Sequence, residues 1–187
     1  MRACDKNESV RLDHRQKGIA LVEISVVAAL LAILTIMATP SYQEIAINRR
    51  LESKALEYVT HINWARSLAV SSNQAVNLHI SKSENASCYV IFQGLVNDCS
   101  CNASGAVCSA LGNARLVVVL LHTDGIKVSA KTESATTRIN PKQGMMIPTL
   151  TAIFSADNGK AIHNISNILG RTRSCSPTMP DFGLQVC

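Results

Sequence analysis

Two arginines near the carboxyl end of the chain have the spacing of an anion-binding motif. They stand in the run Gly170-Arg171-Thr172-Arg173. In an extended segment, residues two apart point to the same side, and each guanidinium offers forked N–H donors that match a phosphate group. The run therefore predicts an anion-binding edge at Gly170, Arg171 and Arg173, and we expect Lys160 to join this patch. In an alternative that stays open, the arginines hydrogen-bond carbonyls or carboxylates within the tail.

Six of the seven cysteines lie between positions 88 and 187 and could form disulfides. We favour a bridge between Cys175 and Cys187, because it closes a short loop and holds the tail beside the arginines. A disulfide that closes a loop of this length adds about 3 kcal/mol to the free energy of unfolding in the chain-entropy model. The cysteines at positions 99 and 101 are separated by one residue and are not expected to bond to each other, so further bridges should involve those at 88 and 108. The pairing stays open among Cys88, Cys99, Cys101 and Cys108.

Nothing in the sequence is typical of a catalytic centre. The histidines are scattered, and no nucleophile elbow, phosphate-binding loop or zinc-protease motif occurs. A metal site on Cys99, Cys101 and Cys108 competes with the disulfides, but no histidine lies among these cysteines. We therefore predict that the protein is not an enzyme and has no cofactor and no metal. The net charge of +5 does not by itself indicate a nucleic-acid partner.

A long apolar stretch precedes these residues and must anchor the chain. Residues 24–43 carry no charge, and a helix of that length spans roughly 30 Å of hydrocarbon. The segment before it is basic and should stay cytoplasmic by the positive-inside tendency. This predicts a single membrane pass, with most of the chain on the far side, where disulfides persist if the compartment is oxidising. A secretory signal peptide is the alternative, which the length of the stretch and the adjacent Glu23 disfavour.

Beyond the apolar stretch the hydrophobic pattern changes from that of a helix to that of strands. A helical stripe, at steps of three and four, consists of Leu51, Ala55, Tyr58, Ile62, Ala65 and Ala69. After residue 74 alternating or apolar runs predict strands at 76–80, from Cys88, from Arg115, and at 126–130, 147–154, 161–168 and 183–186. Pro148 indicates an edge strand or a bulge. The pattern predicts an α+β fold, with a long N-terminal transmembrane and stalk helix packed on a small C-terminal antiparallel β domain.

The start of the apolar helix resembles a known processing site. The junction Lys17-Gly18-Ile19-Ala20-Leu21-Val22-Glu23 closely resembles that of type IV pilins and type II secretion pseudopilins. In that family a prepilin peptidase cuts after the glycine and methylates the new N-terminus. The resemblance therefore implies cleavage after Gly18 and an N-methylated Ile19. Glu23 would then meet the Ile19 ammonium of a neighbouring subunit and set the register of a filament, unless its side chain only reaches to the membrane interface.

The distal half of the chain is most similar to the FimT/GspH group of minor pilins and pseudopilins. That group has a helix, a β domain and a C-terminal Gly-Arg-x-Arg followed by a cysteine pair, here Cys175 and Cys187. In FimT-like minor pilins the tail is associated with binding double-stranded DNA during uptake. The resemblance carries that role onto Gly170, Arg171 and Arg173.

Together these features imply four sections and a function. The sections are a cleaved cytoplasmic leader 1–18, a transmembrane and filament-core helix 19–43, an amphipathic stalk helix 44–73 and a periplasmic or extracellular β domain 74–187. The implied protein is a minor pilin-like subunit that is held in the bacterial inner membrane before it enters a pilus. There it would prime assembly or lie at the tip, and bind double-stranded DNA for natural transformation. Its partners would be other pilins, prepilin peptidase and the inner-membrane assembly machinery.

Two other functions stay open. One is a GspH-like minor pseudopilin of a type II secretion system, which would enter a pseudopilus and contact exported proteins. The other is a membrane-anchored binding protein that is unrelated to pili.

Overall fold

The computed structural model describes residues 17–81, 87–102, 105–109, 115–120, 125–131, 136–178 and 182–187. The chain divides into two units, Met1–Gln43 and Glu44–Cys187. The described part of the first unit is helical and belongs to α1 (Lys17–Ser72), which ends in the second unit. Residues 1–16 of the predicted leader lie outside the described residues, so leader cleavage stays a prediction.

The helix of the first unit carries exposed apolar side chains, and every side chain from position 21 to 36 is exposed. The hydroxyls of Ser25 and Thr35 donate to the carbonyl oxygens of Val22 and Ala32, at 2.7 and 2.8 Å. These polar groups are therefore satisfied by the backbone of their own helix. Among the described residues, no stretch of helix reaches the length and hydrophobicity that a membrane span requires.

The second unit adds strands to the end of α1, and the paired strands are antiparallel throughout the described residues. The predicted combination of a helix with an antiparallel β domain is therefore confirmed. The strands are β1 (Val76–Ile80), β2 (Cys88–Gln93), β3 (Cys99–Asn102), β4 (Gly105–Cys108), β5 (Arg115–Leu120), β6 (Ile126–Ala130), β7 (Thr136–Ile139), β8 (Met146–Ile147), β9 (Leu150–Ala156), β10 (Ala161–Ser166) and β11 (Thr172–Cys175).

One face of α1 forms the centre of the core. The predicted stripe is confirmed, because each of its six residues is at most 3% exposed: Leu51, Ala55, Tyr58, Ile62, Ala65 and Ala69. The three alanines let the strands approach the helix closely, and Tyr58 fills the wider space, with its ring 5.3 Å from that of Tyr89 and 5.4 Å from that of Phe154. This face holds the second unit together mainly by apolar burial.

Two sheets share that core. The first has the order β5-β2-β1-β7-β8 and the second the order β11-β10-β9-β6. Burial alternates along β9, where Leu150, Ala152 and Phe154 are buried and the residues between them are partly exposed, as expected of a strand with one face in the core. The hydroxyl of Ser87 links the sheets, because it hydrogen-bonds both the amide and the carbonyl oxygen of Val128.

A short hairpin covers the other face of the first sheet. β3 and β4 pair with each other, and their side chains pack on Val90 and Phe92 of β2. These two residues would otherwise be exposed, because they point away from the helix. The hairpin therefore makes a second, smaller core that also contains Cys99 and Ala106.

Disulfides fasten this hairpin. Cys99 and Cys108 are cross-strand partners and close the hairpin, while Cys101 joins it to Cys88 at the start of β2. Cys99, Cys101 and Cys108, the residues of the competing metal-site interpretation, are each bonded to another cysteine here and offer no thiolate.

Candidate functional site

The arginine tail follows a tight turn between β10 and β11. Asn167 organises the turn, because its carbonyl oxygen accepts from the Gly170 amide and its side-chain Oδ1 accepts from the Arg171 amide, both at 2.9 Å. Gly170 has a φ of +72°, a conformation that favours glycine. The turn returns the chain beside β10, with Ser166 opposite Thr172 and Ile165 opposite Arg173.

The residues between the arginines fix the direction in which the arginines point. The hydroxyl oxygens of Thr172 and Ser166 lie 2.9 Å apart. The Ser174 hydroxyl donates to Oδ1 of buried Asn164 at 2.7 Å. These polar pairs hold one side of β11 towards the helix, since Asn164 itself donates to the carbonyl oxygen of Ala55. Arg171 and Arg173 are left exposed on the opposite side of the strand.

Both arginines line a groove of about 730 Å³ at the edge of the second sheet. A third arginine, Arg66 of α1, also lines it. We call this the arginine groove, and its lining residues are Asn63, Arg66, Ile165, Asn167, Arg171, Thr172 and Arg173.

The arginine groove has no acidic partner within the described residues. None of its three arginines lies within 4.0 Å of a carboxylate there. The side chains of Arg171 and Arg173 also make no hydrogen bond in that part of the chain, so the alternative in which they bind carbonyls or carboxylates of the tail is not observed. Their guanidinium donors are available to an anion.

Arg66 is an arginine of the groove that the sequence pattern does not indicate. It lies on the helix beside the buried stripe, directly after Ala65, and its side chain is half-buried. Its Nε donates to the carbonyl oxygen of Gly144 at 3.1 Å, across 78 residues of chain. The position next to the stripe is a weak signal, because an arginine there has the same periodicity as one that faces water.

The expectation that Lys160 belongs to the same patch is wrong. Lys160 precedes β10 by one residue and lies about five residues from Ile165, which is roughly 16 Å along a strand. Its Nζ is 3.4 Å from Oε1 of Glu44 and 5.8 Å from the ring centre of Phe182. It lines a separate groove of about 410 Å³ with Asn48 and other residues near the start of the second unit.

The tail is held in place beyond the arginines. Cys175 and Cys187, the pair favoured from the sequence, are bonded to each other. Two backbone hydrogen bonds run alongside, from the Ser176 amide to the Gln185 carbonyl oxygen and from the Cys187 amide to the Ser176 carbonyl oxygen, both 2.9 Å. The disulfide therefore lies two residues from Arg173 and fastens the end of β11.

The buried titratable groups lie in the core and not in a groove. Burial raises the pKa of the Tyr58 phenol and, with a smaller contribution from Glu57, that of Tyr89. Nδ1 of His61 lies 2.8 Å from the Tyr89 hydroxyl. No cluster of three metal-ligating side chains occurs among the residues that the structure describes.

The residues of the predicted processing site lie in the first unit. Gly18 and Ile19 are part of α1, and Glu23 follows them with an exposed side chain.

Comparisons with known proteins find similar structures. No protein-family model matches the chain, and no curated protein matches it. Two crystal forms of the type IV minor pilin FimU of Pseudomonas aeruginosa are similar to this chain, both at 18% identity. The first has a TM-score of 0.49 and the match covers 70% of this chain and 94% of the FimU chain. The second has a TM-score of 0.45 and the match covers 68% of this chain and 97% of the FimU chain. The minor pseudopilin EpsH of the type 2 secretion system of Vibrio cholerae is similar at 10% identity, with a TM-score of 0.44, over 68% of this chain and 98% of EpsH.

Proposed function

We propose that this chain is a minor type IV pilin-like subunit. In this proposal it is held in the bacterial inner membrane by residues 19–43, cleaved after Gly18 by prepilin peptidase, methylated at Ile19 and built into a filament. It is a substrate of an enzyme and not an enzyme itself. The observation that carries the proposal is the junction from Lys17 to Glu23 at the start of the 56-residue helix α1, whose far end is buried in a disulfide-bonded β unit.

The exposed face of the first unit supports a filament. Large apolar side chains there, such as Leu21 and Ile36, are 72% and 73% exposed, and burial against other helices would remove them from water or lipid. Glu23 is the acidic residue of this segment, and a carboxylate among apolar side chains needs a cation close by. The new ammonium at Ile19 of a neighbouring subunit would be that cation.

Processing and assembly are tested by expressing the full chain with a prepilin peptidase and pilus assembly proteins. Mass spectrometry should find a product that starts at Ile19 and carries one extra methyl group. Gly18→Ala should abolish cleavage. Glu23→Ala should be cleaved but fail to enter filaments. Glu52→Ala, which removes a partly exposed carboxylate of the same helix that pairs only with Arg49 in the described chain, should enter them. A wild-type chain that is never cleaved would overturn the proposal and favour an anchored protein unrelated to pili.

For the second unit we propose that the arginine groove binds the backbone of double-stranded DNA. Three arginines without carboxylate partners in the described part of the chain line one groove, and guanidinium groups suit phosphodiesters. The groove offers charge without an arrangement that reads base edges, so binding should be independent of sequence and should weaken with salt. These unpaired arginines favour a DNA-handling pilin over a pseudopilin that contacts exported proteins.

DNA binding is tested with the full, oxidised chain in a non-ionic detergent and fluorescent duplex DNA. Affinity should fall as salt rises, and Arg171→Ala/Arg173→Ala should reduce the slope of log affinity against log salt by about two. The matched control is Arg50→Ala/Arg138→Ala, which removes two exposed arginines that do not line the groove. If the two double variants lose affinity equally, the groove is not the binding site.

A further inference from the structure

Gly170, whose φ of +72° already favours glycine, also lies directly against a side chain of the helix. A Cβ atom at this position would lie 2.6 Å from Cδ and 2.9 Å from Cζ of Arg66, and closer still to Nε. Non-bonded atoms do not come this close, so a side chain at position 170 would displace the side chain of Arg66. The space above Gly170 is therefore occupied by a part of this chain and is not open to a ligand.

A second glycine encloses the same side chain. Gly144 has a φ of +65°, and a Cβ there would lie 3.6 Å from Nε of Arg66. The carbonyl oxygen of Gly144 accepts a hydrogen bond from that Nε at 3.1 Å. The turns that contain the two glycines are themselves joined, because the Met146 amide donates to the Ile168 carbonyl oxygen at 2.9 Å. Arg66 thus passes between two turns that are fixed relative to each other.

This arrangement leaves the end of the guanidinium available. Of the five N–H donors of an arginine, one is on Nε and is used by Gly144, which leaves four on the two terminal nitrogens. Arg66 has no carboxylate within 4.0 Å in the described chain. Because its stem is already held, little side-chain entropy remains to be lost when an anion binds. Arg171 and Arg173, in contrast, are exposed.

We propose that Arg66 is a third phosphate-binding residue of the arginine groove and that Gly170 is a positioning residue which holds Arg66 in place. This rests on the proposed DNA binding and adds to it a residue from the helix. It also gives the glycine of the Gly-Arg-Thr-Arg run a role that differs from direct contact with the ligand. The phosphate backbone would lie between α1 and β11, held from both sides.

The first test measures the packing of Gly170 against Arg66 without DNA. Gly159 is a matched control, because its φ of +81° carries the same backbone strain and a Cβ there would meet nothing within 4 Å. Gly170→Ala should lower the urea midpoint of unfolding more than Gly159→Ala does. In an Arg66→Ala background the two glycine variants should have equal effects. If Gly170→Ala still lowers the urea midpoint more than Gly159→Ala does in the Arg66→Ala background, Gly170 does not position Arg66.

The second test measures DNA affinity in the full, oxidised chain. Arg66→Ala should weaken binding roughly tenfold at low salt, which corresponds to one charge-assisted hydrogen bond, and should reduce the salt slope by about one. Arg66→Lys should be intermediate, because it keeps the charge and loses the fork. The control is Arg50→Ala on the exposed side of the same helix. If Arg66→Ala binds like Arg50→Ala, this inference is wrong while the proposed DNA binding stands.

The double variant separates positioning from contact. Gly170→Ala should weaken binding in the wild-type background and should have no further effect in the Arg66→Ala background. A further loss there would mean that Gly170 itself contacts the ligand, which contradicts the proposal. A wild-type chain that binds no duplex DNA at low salt would overturn both the proposed DNA role and this inference.

Discussion

Asn164 is the residue that joins the tail, the sheet and the helix. Its side chain is fully buried, donates to the Ala55 carbonyl oxygen at 2.9 Å and accepts from the Ser174 hydroxyl at 2.7 Å. Nothing in the sequence distinguishes it from an exposed asparagine, because its role depends on partners 109 residues before it and 10 after it. The two tail arginines, in contrast, could be predicted, since their spacing alone gives their common side.

Asn164→Ala should lower the free energy of unfolding by about 2 to 3 kcal/mol, because it removes two hydrogen bonds and leaves buried groups unpaired. Asn158→Ala is the matched control, since this exposed side chain also makes two hydrogen bonds, to Asn48 and from the Lys160 amide, and because water can replace them the loss should be about 1 kcal/mol or less. Urea unfolding of the two variants beside the wild type measures the difference. Equal stability of the two would contradict the role given to Asn164.

His79 should make stability depend on pH. Its Nδ1 lies 2.7 Å from the Thr136 hydroxyl, and burial lowers its pKa. As the pH falls, the unfolded chain therefore takes up a proton before the folded chain does, and stability that is present above the ordinary imidazole pKa of about 6.5 is lost below it.

His79→Gln should flatten the fall in the urea midpoint between about pH 7.5 and about pH 5.5. Adding His163→Gln to His79→Gln should flatten the fall in the midpoint further. Burial lowers the pKa of His163, and the charge of Lys131 lowers it by a smaller amount. If the single and double variants retain the slope of the wild type, neither imidazole is responsible for it.

At the scale of elements, helical periodicity predicted the buried face of α1 correctly, and strands were found in the predicted apolar runs up to β10. The predicted strand at 183–186 was wrong, because that segment makes only an isolated bridge, between Ser176 and Val186. Pro148, which indicated an edge strand or a bulge, lies between β8 and β9, and β8 is an edge strand of the first sheet. The β3–β4 hairpin was missed because Cys-Ser-Cys-Asn and Gly-Ala-Val-Cys contain few strand-forming residues. Its stability comes from two disulfides and from the side chains that it covers, which are properties of the folded chain.

The Cys175–Cys187 disulfide at the tail should affect DNA affinity, which the hairpin disulfide should not affect. Cys175→Ala/Cys187→Ala should weaken DNA affinity several-fold, because β11 is an edge strand that pairs only with β10 in the described sheet. Cys99→Ala/Cys108→Ala opens the hairpin on the other sheet and should leave affinity unchanged while lowering stability by about 2 to 4 kcal/mol. Because each bridge closes a short loop, urea unfolding should show a loss of stability for both pairs, whereas fluorescence titration should show a loss of DNA affinity only for Cys175→Ala/Cys187→Ala. Equal DNA affinity of the two pairs would show that the tail bridge has no special role in the groove.

At the scale of the whole molecule, the second unit contains the buried clusters and all three disulfides of the described chain. The two units meet between residues 43 and 44. The predicted boundary at residue 74 separates a helix from strands but does not separate two units. The end of α1 contributes more residues to the larger buried cluster than any single strand does. Sequence periodicity locates such an element, but only packing shows to which body it belongs.

Residues 44–187 should therefore fold alone, with one cooperative transition in urea, whereas 74–187 should not fold. The shorter fragment lacks the buried stripe of α1, and its sheets would expose their apolar faces. Circular dichroism during urea titration checks both fragments. A cooperative transition in the shorter one would show that the helix is dispensable for the β domain.

The hydrogen bond from Asn164 to Ala55 has a consequence for the time course of folding. It spans 109 residues, and the groove arginines are separated by a similar length of chain. Synthesis runs from the N-terminus, so the apolar face of α1 is made long before β10 and β11, which complete its surroundings. A fold with such distant contacts has a high contact order and forms slowly. Until the final strands arrive, the apolar face of the newly made helix is exposed and prone to aggregation, and we expect a chaperone to bind it.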